Sequence, residues 1–438
     1  MTGGPVRRHW RIVATVLAVI IGPGIGVAVA ENHGSSHSGR SSFSYGKWPF
    51  RSLELGLVDP AGDAAALHAA APLKLRYQYL SGGVNTGSDW EHWATGRGSF
   101  ATDYVAESVA NGFTPVFSFY ELRQSLPGAN MSNELDADMT NLDDRSTMRS
   151  YFQDLQTLLA LLGKSRTSKI VLHVEPDMWG YIEQRYGDNA RRAPVQVSGT
   201  GLPELKGLPN NATGLARAIV HLRNLYAPNV LLGYHLSVWG TDKDLHESKL
   251  TTPQVDQIAA RSARFYRSLD TTFDLMFAEF TNSDAGYQQT VLGTPNAFWG
   301  AADYARQVRY LGDVHRALRL PIVLWQIPVG NTLYRTENNT TGHYQDNRVQ
   351  WLLGGGNRSH LRAYANAGVV ALLFGSGIAQ GTCACDADHD GVTNPPPIDG
   401  NTRVSTSPDD DGGYLLWRVR LYYRAGAMTL PGLKSGSH

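Results

Sequence analysis

Carboxylates, amides and indoles recur in this chain at the ends of short runs of β-forming residues. Tyr79 stands inside one such run beside Gln78, and Tyr120-Glu121 closes the next. Glu175-Pro176-Asp177-Met178-Trp179 follows a third, and His235, Ser237 and Trp239 end a fourth. Glu279 closes a fifth with Asn282 just beyond, and Gln326 lies near the end of a sixth. Two carboxyl groups in one cleft can divide acid and base work, one giving a proton to a leaving oxygen while the other draws one from water. Amides and imidazoles hydrogen-bond hydroxyl groups, and aromatic rings offer broad apolar faces with a polar edge. This set suits the binding and cleavage of a carbohydrate. The candidate catalytic residues are Glu175, Asp177, Glu279 and Glu121. The candidate substrate-binding residues are Tyr79, Tyr120, Trp179, His235, Trp239, Asn282 and Gln326.

Such residues need a frame that brings many strand ends to one rim. The β-forming runs are Leu53 to Val58, Leu73 to Leu80, Thr114 to Tyr120, Ile170 to Val174, Val230 to Leu236, Phe273 to Phe280, Ile322 to Ile327 and Val369 to Phe374. Stripes with helical spacing lie between them, such as Met148, Tyr151, Phe152, Leu155, Leu158, Leu159 and Leu162, closed by Gly163. Further stripes run from Leu215 to Tyr226 and from Val255 to Leu269. Near-continuous apolar strands alternating with amphipathic helices mean a parallel sheet covered by helices. Eight such units without a glycine-rich nucleotide turn predict a single (β/α)8 TIM-type barrel with long βα loops over residues 47–438. In such barrels the chemistry sits at the carboxyl ends of the strands, where the candidate residues fall.

The string His173-Val174-Glu175-Pro176-Asp177 resembles the corresponding strand of the family-6 glycoside hydrolases, the inverting cellulases. Tyr120-Glu121-Leu122 is similar to that family's Tyr-Asp-Leu turn. Pro228-Asn229-Val230 leads into His235 to Trp239 as that family's strand leads into a Gly-His and Trp segment, and Cys385-Asp386 resembles the Cys-Asp of its proposed base. The resemblance spans roughly residues 114 to 425. It implies an inverting glycosidase with a carbohydrate substrate and no cofactor required for the chemistry. It also implies a proton donor in the acidic loop holding Asp136, Asp138, Asp143 and Asp144, ahead of a helix from Ser146. A retaining barrel with Glu-Pro after its fourth strand needs a second Glu after the seventh, where this chain offers Gln326. An inverting pair therefore fits better, with Glu279 or Glu121 as the second acid. The same glutamine leaves a second reading open, a secreted glycan-binding barrel without catalysis.

Thirty-nine Lys and Arg balance 39 Asp and Glu among 438 residues, which removes the cationic surplus a nucleic-acid binder needs. With 42% hydrophobic and 18% charged residues the chain is neither disordered nor built of many membrane spans. Arg7, Arg8 and Arg11 precede an apolar run ending in Ala28-Val29-Ala30, the pattern of a signal peptide over residues 1–30 and of a mature chain beginning near Glu31. Residues 31–46 then form a flexible leader, and no stable membrane span is expected after cleavage. Cys383 and Cys385, the two cysteines, are too few for a disulfide scaffold. Asp386, Asp388 and Asp390 before Gly391 reproduce half of a calcium loop, with Pro397 where the bidentate Glu belongs. A structural calcium there would lie apart from the chemistry. A last helix is expected from near Tyr414.

Overall fold

The computed structural model describes residues 45–165, 169–246, 249–333, 344–377, 381–384, 411 and 413–433. The expected signal segment, most of the leader, and Asp386, Asp388 and Asp390 lie outside the described residues. Eight strands form one closed barrel, β1 (Glu54–Val58), β2 (Leu75–Ser81), β3 (Thr114–Tyr120), β4 (Ile170–Val174), β5 (Val230–His235), β6 (Leu275–Glu279), β7 (Ile322–Ile327) and β8 (Val369–Phe374). Every neighbouring pair is parallel, and β1 closes the ring on β8 through Glu54↔Ala371 to Leu57↔Phe374. The eight β-forming runs are these eight strands, to within two residues at each end. The reason is burial: β4, β5, β7 and β8 are covered on both faces, so every position along them selects for apolar or small residues.

Helices cover the outside. They are α1 (Ala64–Ala70), α2 (Ser99–Ala110), α3 (Glu134–Asp143), α4 (Arg145–Leu162), α5 (Met178–Tyr186) and α6 (Ala212–Tyr226). After β5 come α7 (Thr252–Ser268), α8 (Ala285–Thr290), α9 (Ala301–Leu318), α10 (Arg348–Leu353), α11 (Ser359–Asn366) and α12 (Tyr414–Arg424). The capping chemistry is local. Asp144 accepts from the Thr147 amide at 2.7 Å to start α4, and Asn211 accepts from Gly214 at 3.0 Å to start α6. Asp411 accepts from the amides of Gly413 and Leu415, at 2.9 and 2.8 Å, ahead of the expected last helix. Cys383 is disulfide-bonded. Among the described residues no helix is long and apolar enough to cross a membrane.

One element departs from the sequence reading. The acidic stretch before Ser146, expected as a loop, forms α3, started by Asn133 accepting from the Asp136 amide at 2.9 Å. Its buried positions are Ala137, Asp138, Asn141 and Leu142. Their helical spacing is hidden in the sequence because two of the four are polar.

Inside the barrel, side chains from adjacent strands fill the lumen. The His173 ring stacks on Phe277 at 4.0 Å and meets Trp325 edge-on at 4.8 Å. Its Nε2 lies 2.9 Å from His235 Nδ1 and its Nδ1 lies 3.2 Å from Ser118 Oγ. Gly233 makes room for this layer, because a Cβ there would come within 2.4 Å of the Phe277 ring. The lumen is therefore a packed floor beneath the rim.

Candidate active site

The turn after β4 decides where the Glu-Pro-Asp carboxylates go. Glu175 has φ +48°, a left-handed conformation that a side-chain-bearing residue adopts at a cost of about 1–3 kcal/mol. Its own amide donates to Phe119 O at 2.8 Å, continuing the β3–β4 ladder, while its Oε1 accepts from the amides of Glu121 and Leu122 at 3.1 and 3.2 Å. The carboxyl is thus turned toward the end of β3 and Tyr151 of α4, in full burial, which pushes its pKa up to about 8. Glu121 is equally enclosed. Its Oε2 accepts from the Gly83 amide at 2.5 Å, and burial, with the charge of Asp154 next, raises its pKa to about 10. Gly83 has φ +88°, and a Cβ there would meet Gln124 O at 2.2 Å, so that the close approach needs glycine. These two glutamates tie the loops after β2, β3 and β4 together.

Of the four candidate catalytic carboxyls, Asp177 and Glu279 are the two left half-buried, at the rim. Glu279 Oε1 accepts from Trp239 Nε1 at 2.7 Å, and burial lifts its pKa to about 7 against the opposing effect of that bond. Asp177 is held well above the usual carboxylate range by burial and then by the charges of Glu134, Glu279 and Glu175. Tyr79 feels both Asp177 and Glu279, and its hydroxyl accepts from Gln326 Nε2 at 2.9 Å. Gln326 itself has φ +51° at a register shift in β7, a second left-handed turn at the same rim. The Tyr181 ring lies 4.7 Å from the Trp239 ring, centroid to centroid. Across from them the Tyr120 hydroxyl donates to Glu134 Oε1 at 2.6 Å. The rim thus holds one carboxyl pushed well above the usual carboxylate range and one titrating near neutrality, framed by aromatic rings and an amide. That arrangement can give and take protons around a bound hydroxylated ligand.

No protein-family model matches the chain, and no curated protein matches it. Among solved structures it is similar to the GH53 catalytic domain of Ignisphaera aggregans, with a TM-score of 0.43 and 9% identity over 87% of this chain and 99% of that one. It is also similar to the β-1,4-D-mannanase of Cryptopygus antarcticus, with a TM-score of 0.43 and 10% identity over 90% of this chain and 96% of that one. A GH6 enzyme of Orpinomyces sp. Y102 shows a TM-score of 0.31 and 13% identity over 58% of this chain and 63% of that one. At such distance no activity carries over to this chain.

Of the residues singled out in the sequence, Asp177, Glu279, Tyr79, Tyr120, Trp239 and Gln326 come together at the rim. Asn282 is exposed just beyond Glu279, its Oδ1 accepting from Ser283 Oγ at 3.0 Å. Trp179 is placed differently: it is fully buried on α5, donates to Val174 O at 3.0 Å and packs on Tyr234 and Phe273. His235 lies in the lumen floor, where burial drives its pKa down to about 3. Asp143 and Asp144 line a hollow with Asp136 and Arg185 that includes neither Asp177 nor Glu279, and Asp144 is a helix cap whose pKa is lowered chiefly by the Thr147 amide. Glu134 and Tyr181 were not legible as site residues. Glu134 sits one turn before Asp138 on α3, and the signal that could have found it is this i, i+4 pair of acids on one helix face.

Proposed function

We propose that this chain is a glycoside hydrolase acting on a polysaccharide or oligosaccharide, with Asp177 as general acid and Glu279 as general base. The observation that carries the reading is the pair of half-buried carboxyls at the ends of β4 and β6, one pushed well above the usual carboxylate range by burial and the other, steered by Trp239, titrating near neutrality. A protonated Asp177 donates to the leaving glycosidic oxygen as the C–O bond breaks, and Glu279 takes the proton of the attacking water. Gln326 favours inversion: it stands after β7, its amide is engaged with Tyr79, and an amide is a poor nucleophile. No cofactor takes part. Incubation with a panel of plant, fungal and bacterial glycans, with the first-formed anomer read by proton NMR, tests both points. Binding without cleavage would instead favour the glycan-binding barrel.

The pH profile follows from these roles. A base must be ionised, so kcat/KM is expected to rise as pH increases through about 7, the value at which Glu279 loses its proton. The Trp239 indole N–H stabilises the ionised form. Trp239→Phe is therefore expected to move this acidic limb to higher pH, and an unmoved limb would take the base role away from Glu279.

Secretion belongs to the same proposal, resting on the arginines and the Ala28-Val29-Ala30 pattern. N-terminal sequencing of protein recovered from culture medium is expected to begin at or near Glu31. Protein recovered only from membranes with its first thirty or so residues intact would count against it.

A further inference from the structure

An acid and a base account for two carboxyls, but two more acids stand near them. Glu134 and Asp138, one turn apart on α3, are electrostatic neighbours of Asp177, and the pKa of Tyr181 is raised by burial first and then by the charges of Glu134, Asp177, Asp138 and Glu279. The ion pairs among the described residues use other acids, including Asp136 on the outer side of the same helix with Arg185. The positive charge that acts on Glu134 and Asp138 is Arg123, whose guanidinium donates to the carbonyls of Gly128 and Met131 at 3.4 and 3.0 Å. Asp138 is the telling residue. It is only 1% exposed, yet its Oδ1 has no hydrogen-bond partner. An unpartnered buried carboxylate oxygen is costly, and it marks the place of a donor that arrives from outside.

The geometry narrows the donor. Calcium or magnesium would need oxygens converging to within about 2.0–2.6 Å, and among the described residues no three acidic, histidine or cysteine side chains are grouped so as to hold a metal ion. An ammonium asks for less, offering three hydrogen bonds to acceptors spread around it. Tyr120 holds Glu134 in place by its 2.6 Å bond to Oε1. We infer that the cleft binds a sugar carrying a free amino group, its ammonium seated between Glu134 and Asp138. The inference rests on the glycosidase reading and names its substrate class, a polymer or oligomer of amino sugars that are not N-acylated.

The test is calorimetric binding of two tetramers, β-1,4-linked glucosamine and β-1,4-linked N-acetylglucosamine, at mildly acidic pH where the amine is charged. The glucosamine tetramer is expected to bind about tenfold tighter or more, the effect of one charge-assisted hydrogen bond. Glu134→Gln and Asp138→Asn, both nearly isosteric, are expected to abolish that preference, with melting temperatures reporting that each variant is folded. Equal or weaker binding of the amine, binding of neither tetramer, or a preference that survives both substitutions overturns the inference. The wild-type comparison stands without any variant. Cleavage of neutral glycans with no amine preference would overturn the inference and leave the glycosidase reading. Amine-selective binding with no glycan cleaved would do the reverse.

Discussion

Asp177→Asn and Glu279→Gln are each expected to lower turnover by about a hundredfold or more, the range for losing a positioned acid or base. Each change keeps the shape of the side chain and removes its proton chemistry, so the folded state and ligand binding should survive. The two variants should differ in one respect. A leaving group that departs without protonation, such as a nitrophenolate, makes general acid help unnecessary, so Asp177→Asn should recover much of its loss on an aryl glycoside. Glu279→Gln should not, because its water still needs a base. Glu175→Gln makes a contrast. That carboxyl accepts from the Glu121 and Leu122 amides and is closed off from the rim, so its substitution is expected to act mainly through stability. Steady-state kinetics on a confirmed substrate decide the matter. Full turnover in Asp177→Asn, or a collapse in Glu175→Gln with stability intact, would give the acid role to Glu175.

Trp179→Ala is expected to cost about 3–5 kcal/mol of stability, the range for removing a large aromatic from a packed core. The ring is wholly buried behind β4, 5.6 Å from the Tyr234 ring and 6.0 Å from that of Phe273. Its Nε1 also gives Val174 O a partner, which alanine leaves unfilled. Urea unfolding measures the loss. If Trp179 stacked on sugar instead, the same substitution would weaken substrate binding and leave the unfolding midpoint near its original value.

The sequence by itself determined the barrel. A strand covered on both faces leaves a run such as Val230 to His235 almost wholly apolar, and a helix with one covered side leaves the stripe from Met148 to Leu162. Both are local consequences of burial, so the eight strands and most of the helices around them can be read without knowing which neighbours do the burying. It also determined that acids and aromatics gather at strand ends. What it left undecided is which way each of them turns. The left-handed backbone at Glu175 sends that carboxyl to the end of β3 and leaves Asp177 at the rim, a rotation set by amides that come from another strand. His235 and Trp239 are four residues apart, yet one lies in the floor and the other steers Glu279, because the chain leaves the sheet between them. Glu134, on α3, meets the end of β3 through the bond it accepts from the Tyr120 hydroxyl, fourteen residues away along the chain. A side chain's direction past the end of a strand depends on hydrogen bonds to distant segments, and no local periodicity records them.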